Sequence, residues 1–412
     1  MPAPASSFAG NFFAAGARSG GGEILATGSP PAVDSPAKPV QICRMSDAAS
    51  KNRGRGAGDN PVNRFQSIVL DRNEDWDPAE DPAVKTKFFR DASQSAITFN
   101  QSPDIPFDAG INPYRGCEHG CSYCYARITQ EFLGFSAGLD FESRIMVKED
   151  APELLRRELA SPKWKPQVVA MSGVTDCYQP VERRLQLTRR CLAVFAEFRN
   201  PVGIITKNHL ITRDLDLLRA LAAHQAVAVN ISVNSLDPEL AARLEPRASQ
   251  PRHRLAAIEA LSRAGIPVGV LVAPIIPALN EPELFAVLEA AKNAGAQWAG
   301  MEILRLPLTV APIFEKWLET HFPDKREKVL NRIRSIRGGK LNDPRFGSRM
   351  RGEGIFAEQI AQMFRVARRK VGIPENGPEV STAHFRRPGG KQLEFTISAS
   401  DRGTGSNSGK GE

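Results

Sequence analysis

Cysteine is scarce in this chain and unevenly placed. Of six cysteines in 412 residues, Cys117, Cys121 and Cys124 fall within eight positions, while Cys43, Cys177 and Cys191 are scattered. A disulfide framework needs a denser set in a shorter chain, so that class is excluded. Long apolar runs are lacking as well. No stretch approaches 18 consecutive apolar residues, which excludes a membrane-spanning helix. The start lacks a basic segment followed by an apolar core, so no secretory signal is read and a cytoplasmic location is expected. A large excess of one charge is missing too. The net charge of +8 fits an acidic partner without requiring one.

Residues 1–60 are rich in Gly, Ala, Pro and Ser, show no apolar period, and read as a disordered tail. The Gly54-x-Gly56-x-Gly58 pattern inside them is no phosphate loop, since no strand precedes it and no helix follows. Residues 61–106 read as an N-terminal extension and 107–306 as the core. Residues 307–395 read as a mostly helical, basic C-terminal extension, and 396–412 as a second disordered tail. In the core, short β-rich runs alternate with helical periods. Strand-like segments lie near Ile111 and at Val168–Met171, Val202–Thr206, Ala226–Val233, Val268–Val272 and Ala299–Leu304. Amphipathic helices are expected over Arg183–Arg199, Leu215–Ala223, Arg254–Ala264 and Glu281–Ala294, with Gly265 and Gly295 as stops. Repeated strand–helix–strand units with short connections predict parallel strands and right-handed crossovers. The fold class is therefore α/β, a partial (βα)6 TIM-like barrel, with active residues at the C-terminal ends of its strands.

The chemistry concentrates in Asn112-Pro113-Tyr114-Arg115-Gly116-Cys117-Glu118-His119-Gly120-Cys121-Ser122-Tyr123-Cys124-Tyr125-Ala126-Arg127. Three thiolates spaced Cys-x3-Cys-x2-Cys can wrap three corners of a [4Fe–4S] cube and leave the fourth iron open. The competing reading is a zinc site of three cysteines with His119. Zinc sites usually pair two distant ligand knuckles, and no second knuckle is present.

This spacing, with Tyr123 just before the last cysteine and the βα pattern behind it, resembles the radical S-adenosylmethionine (SAM) superfamily. The resemblance implies a [4Fe–4S] cluster on Cys117, Cys121 and Cys124 that cleaves SAM to a 5′-deoxyadenosyl radical, in a lyase- or transferase-type enzyme. It implies cofactor-binding roles for Tyr123, for the turn Ser172-Gly173-Val174-Thr175-Asp176 after the second strand, and for Lys207, Asn230, Ser232 and Arg247. It also implies a flavodoxin- or ferredoxin-type electron donor. Thr175-Asp176-Cys177-Tyr178-Gln179-Pro180-Val181-Glu182, Pro274-Ile275-Ile276-Pro277 and Asp343-Pro344-Arg345-Phe346-Gly347 resemble the spore photoproduct lyase-like, DNA repair photolyase-type branch. That branch carries a hydrogen-donating cysteine before its Ser-Asp pair. Here Val174 stands there, and Cys177 follows as the candidate donor or as a small buried hydrophobe.

Three functional readings stay open: a radical enzyme on nucleic acid, one on a peptide or small metabolite, and a non-catalytic zinc or nucleic-acid-binding module. Between Asp324 and Lys370 there are 14 Lys/Arg and 5 Asp/Glu, a balance of 14 − 5 = +9. Lys325, Lys328 and Arg332 share a helix face, and Arg345, Arg349 and Arg351 follow, which makes these six the candidate contacts to DNA or RNA. Oligomeric state is not legible. Residues 1–44 cannot bury enough apolar area to offset their ordering entropy, so a chain beginning at Met45 should stay soluble and hold iron as the full chain does. Loss of solubility or of iron on that truncation contradicts the reading.

Overall fold

The computed structural model describes residues 54–61, 63–65 and 84–388. The tail 396–412, most of the tail 1–60 and part of the extension 61–106 lie outside the described residues. Seven strands form the main sheet, in the order β2 (Ile97–Phe99), β3 (Ala109–Ile111), β6 (Val169–Met171), β7 (Val202–Thr206), β8 (Val227–Ser232), β9 (Val268–Ile275) and β10 (Ala299–Ile303). From β3 to β10 every pairing is parallel, and β2 runs antiparallel to β3 at one edge. Ile111 pairs with Met171, Met171 with Ile204, Ile204 with Val229, and Val229 with Val268, so the apolar runs lie in register. Six parallel strands wrapped in this order make the partial barrel expected. A small second sheet, β1 (Lys87–Arg90)–β5 (Arg144–Val147)–β4 (Tyr114–Arg115), sits beside the loop that leaves β3.

Helices Ala151–Ala160, Leu187–Phe198, Leu215–Ala222, Pro251–Arg263 and Leu284–Asn293 cover the outside of the sheet. Leu155, Phe195, Leu218, Ile258 and Leu288 are all fully buried on these inward stripes. Gly265 and Gly295 follow their helices with φ of 72° and 98°. The single helix expected over Arg183–Arg199 is broken. Gln186 turns left-handed between a short turn Glu182–Leu185 and the helix Leu187–Phe198. The cause is the buried Glu182 carboxylate, which accepts the amides of Thr188 (3.0 Å) and Arg189 (3.4 Å) and so starts the second helix from inside. The barrel interior is plugged by Trp298, whose ring would lie 2.2 Å from a Cβ added to Gly269.

The C-terminal extension, expected to be mostly helical, has helices at Val310–His321, Arg326–Ile336 and Ile355–Lys370. Its anchor is Arg337, 2% exposed. One nitrogen of its guanidinium donates to the carbonyls of Ile303 and Leu304 (2.9 Å each), the other to Ser348 (3.1 Å) and Arg349 (2.7 Å). One side chain thus joins the end of β10 to the Ser348–Arg351 turn. Among the described residues no helix is long and apolar enough to cross a membrane. Replacing Arg337 with Met leaves four carbonyls without their charged donor. It should cost about 3 kcal/mol or more. Hydrogen exchange should show the extension opening first while β7–β9 stay protected.

Candidate active site

The loop after β3 needs glycine before each of its first two cysteines. Gly116 and Gly120 have φ of 78° and 67°, and a Cβ there would meet Phe141 O at 2.9 Å and Glu142 Oε2 at 2.8 Å respectively. Arg127, fully buried, braces the loop from behind. Its Nε and Nη2 donate to the Cys121 carbonyl (2.9 and 2.8 Å), its Nη1 donates to Ala137 and Gly138, and its Nη2 pairs with Glu142 at 2.5 Å. Tyr123 turns its hydroxyl to Glu245, which also pairs with the buried Arg254, and Arg254 donates to the carbonyls of Ser232 and Ser249. The cysteine loop is thereby tied to the far side of the barrel rim.

Cys117, Cys121 and Cys124 line one cavity of about 140 Å³ at the C-terminal ends of the strands. Among the described residues no disulfide engages them. Among the described residues no three His, Cys, Asp or Glu side chains are placed to hold a single metal ion. As a donor set, three soft thiols on one short loop suit iron–sulfur chemistry.

The other walls come from successive strand ends. After β6, Ser172 takes φ 83° and its Oγ accepts from the Cys177 amide at 2.9 Å. Asn112 Oδ1 accepts from Val174 and Thr175, and the Thr175 hydroxyl donates to Tyr114 O. The Gly173 carbonyl accepts from the Tyr125 hydroxyl at 2.7 Å. Asp176 accepts from the Thr206 hydroxyl (2.7 Å) and the Lys207 amide (2.8 Å), and faces His119 Nδ1 at 3.4 Å. Burial opposes charge on both partners, yet their attraction and hydrogen bonds win. His119 is raised to about 9 and Asp176 lowered to about 2, so the pair is ionised at neutral pH. The other imidazole nitrogen, Nε2, lies 3.2 Å from Asn208.

Lys207, after β7, has a pKa raised despite burial, because Glu245, Cys121 and Asp176 outweigh the Arg254 charge. Ser232, ending β8, lines the cavity with a buried hydroxyl that has no hydrogen-bond partner among the described residues. From β10 come Glu302 and Arg305, paired at 3.2 Å. The Arg305 guanidinium lies 4.5 Å above the Tyr125 ring, and burial raises the Glu302 carboxyl. Sequence reading missed Glu302, Arg305 and Tyr125. Charges inside the apolar run Ala299–Leu306 were the available signal.

Tyr123, Ser172, Gly173, Thr175, Asp176, Lys207 and Ser232 thus meet at the cavity the cysteines line. Two expected cofactor residues lie outside it. Asn230 Oδ1 accepts from Trp298 Nε1 at 2.8 Å, deeper in the barrel. Arg247 pairs with Glu118 at 3.0 Å and so braces the cysteine loop. Cys177 is fully buried in the main core and is not part of the cavity wall.

A family model described as the radical SAM superfamily matches residues 111–291. The uncharacterized protein Rv2578c of Mycobacterium tuberculosis is 35% identical over 250 residues, 60% of this chain and 72% of that one. The chain belongs to the radical SAM superfamily. A second relative, the uncharacterized protein MJ0683 of Methanocaldococcus jannaschii, is 29% identical over 222 residues, 54% of this chain and 79% of that one. Among solved structures, spore photoproduct lyase complexed with dinucleoside spore photoproduct shares the fold. Its TM-score is 0.51 at 17% identity, over 69% of this chain and 79% of that one. Radical SAM membership makes the protein an enzyme whose cofactors are a [4Fe–4S] cluster and SAM, and such enzymes need an electron donor. The non-catalytic zinc module is thereby set aside.

Proposed function

We propose that Cys117, Cys121 and Cys124 hold the cluster and that this radical SAM enzyme acts on nucleic acid. The observation behind the first part is the meeting of three unpaired thiols with five strand ends at one cavity. A [4Fe–4S] cluster held by Cys117, Cys121 and Cys124 would supply the reducing electron for SAM cleavage. The chain's own groups then have distinct tasks. The ammonium of Lys207 suits a carboxylate, the unpartnered Ser232 hydroxyl suits a polar atom of SAM, and the Ser172–Asp176 turn offers backbone groups to its amine. Asp176 orients that turn and the end of β7 through its bonds to Thr206 and Lys207.

The nucleic-acid part rests on the basic extension, whose charge the structure redistributes. Arg345 pairs with Asp343 (2.9 Å) and Glu353 (2.8 Å), and Arg349 with Asp104 (2.5 Å). Arg332 stacks over Phe356 at 3.4 Å, and Arg351 is also engaged. Lys325, 5.9 Å from the Phe322 ring, and Lys328 stay exposed, and neither has an acid as ion-pair partner among the described residues. Arg349 also covers the exposed Phe346 at 4.6 Å, and Arg337 fastens this turn to the end of β10, which lines the cavity. At the cavity itself, the Arg305 cation over the part-exposed Tyr125 ring suits a phosphate-bearing, base-bearing ligand better than an apolar metabolite. The solved relative of the same fold holds a dinucleoside photoproduct. The burial of Cys177 in the core, away from the cavity wall, supports reading it as a small hydrophobe.

Two measurements test the proposal. Anaerobically reconstituted protein should be brown and form 5′-deoxyadenosine, and Ala at Cys117, Cys121 or Cys124 should remove both. Stoichiometric zinc without iron contradicts it. DNA or RNA binding should weaken with salt by a slope of roughly −0.7 to −0.9 per phosphate neutralised. Replacing Lys325, Lys328 and Arg332 with Glu should flatten that slope while the cluster remains. Affinity indifferent to salt and to these changes moves the substrate to a peptide or metabolite.

A further inference from the structure

The segment Gly54–Asn60, grouped by composition with the N-terminal tail, lies packed against the cysteine loop. Gly56 and Ala57 are buried. A Cβ added to Gly56 would stand 1.6 Å from the carbonyl oxygen of Gly120, 2.8 Å from its carbon and 3.0 Å from the amide of Ser122. Gly120 lies between the first two cysteines and Ser122 between the last two, so the segment crosses both intervals of the motif at backbone contact. Gly56 has no left-handed φ recorded, so the need for glycine there is space and not backbone freedom.

One carboxylate fastens the crossing. Glu142, fully buried, accepts from the Gly56 amide (3.0 Å), the Ala57 amide (2.8 Å) and Arg127 (2.5 Å). Arg127 holds the Cys121 carbonyl with two more bonds. Arg55 pins the outer side, donating to the carbonyl of Glu142 (2.7 Å), to Thr86 Oγ1 (3.0 Å) and to Val84 O (3.1 Å). Further along, Asp59 O accepts from Leu139 N (3.1 Å), and Pro61 O accepts from the Ser136 hydroxyl (2.7 Å).

We propose that Gly54–Gly58 is a strap that positions the cysteine loop, and that the loop retains its cluster only while the strap is closed on it. The proposal rests on the reading of Cys117, Cys121 and Cys124 as cluster ligands. The strap meets the loop at the backbone of Gly120 and Ser122 and acts there by excluding other shapes. Because two glycines and a carboxylate set the contact, a single methyl group separates the closed from the open state.

The test compares Gly56→Ala with Gly58→Ala, where an added Cβ meets nothing within 4 Å. Iron per chain is measured after anaerobic reconstitution, followed by the rate of iron loss to a ferrous chelator. Gly56→Ala should lose iron roughly 10- to 100-fold faster than the unaltered protein, the range for residues that support metal ligands. Gly58→Ala should match the unaltered protein. Arg55→Ala, a change at a half-exposed side chain, should give a smaller acceleration and guards against a misfolded Gly56 variant. In iron-free protein, hydrogen exchange over 117–124 should rise in Gly56→Ala and not in Gly58→Ala. If unaltered protein takes up no iron, the cluster assignment fails, and the exchange comparison alone decides the strap. Unchanged exchange, or iron loss equal in all three variants and the unaltered protein, overturns it.

Discussion

The buried pair of Arg127 and Glu142 is the contact on which the arrangement of the site depends. Both side chains are fully buried at 2.5 Å. Such a pair has no claim to stability by its Coulomb energy alone, since desolvating two charges costs several kcal/mol per ion. What makes it tenable is complete use of its valences. Arg127 donates to Cys121, Ala137 and Gly138, and Glu142 accepts from Gly56 and Ala57. Removing either partner leaves the other as an uncompensated buried charge, at a cost of about 3–5 kcal/mol. The pair therefore turns three pieces of chain, distant in sequence, into one rim.

A second buried network does the same on the opposite side of the loop. Tyr123, Glu245 and Arg254 link the last interval of the cysteine motif to the ends of β8 and the helix Pro251–Arg263. His119 and Asp176 make the third link, to β7 through Thr206 and Lys207. With Arg247 on Glu118, four ionic contacts around one short loop leave it little freedom to rotate. Loops are ordinarily the mobile part of a βα barrel. Here charge pairing fixes the loop before any cofactor is considered, the preorganisation a site for a reactive radical requires.

The barrel was legible in the sequence because its signal is local. Apolar runs such as Val202–Thr206 and Val268–Ile275 and glycine stops such as Gly265 and Gly295 each need only neighbouring residues to be read. The cysteines were legible for the same reason. What escaped depends on contacts far along the chain. Gly56 and Glu142 are 86 residues apart, and nothing in a Gly-rich, aperiodic stretch signals that it will cross a loop at van der Waals distance. Asn230 and Arg247 look like cofactor residues by position on the barrel. Trp298 and Glu118, the partners that take them, lie 68 and 129 residues away along the chain. The break at Gln186 arises from the same blindness, since the Glu182 carboxylate, one residue before the expected helix, reads as an ordinary polar position.

The charge of the extension illustrates how far composition can be taken. The excess of +9 over 324–370 is real, but it counts charges by their place in sequence. Asp104, Glu315 and Glu375 lie outside that window and pair with Arg349, Arg326 and Arg368 inside it. Each such pair holds a cation for the fold and weakens its field at the surface. The two kinds of arginine are told apart by their partners. Arg337 and Arg349 fasten the extension to the barrel end and to the segment before β3, and Arg305 lies over Tyr125 at the cavity. A polyanion approaching the extension would meet Lys325 and Lys328, which have no acid to release first among the described residues. The affinity for such a ligand should come from the lysines, and its placement over the cavity from the arginines that hold the rim together.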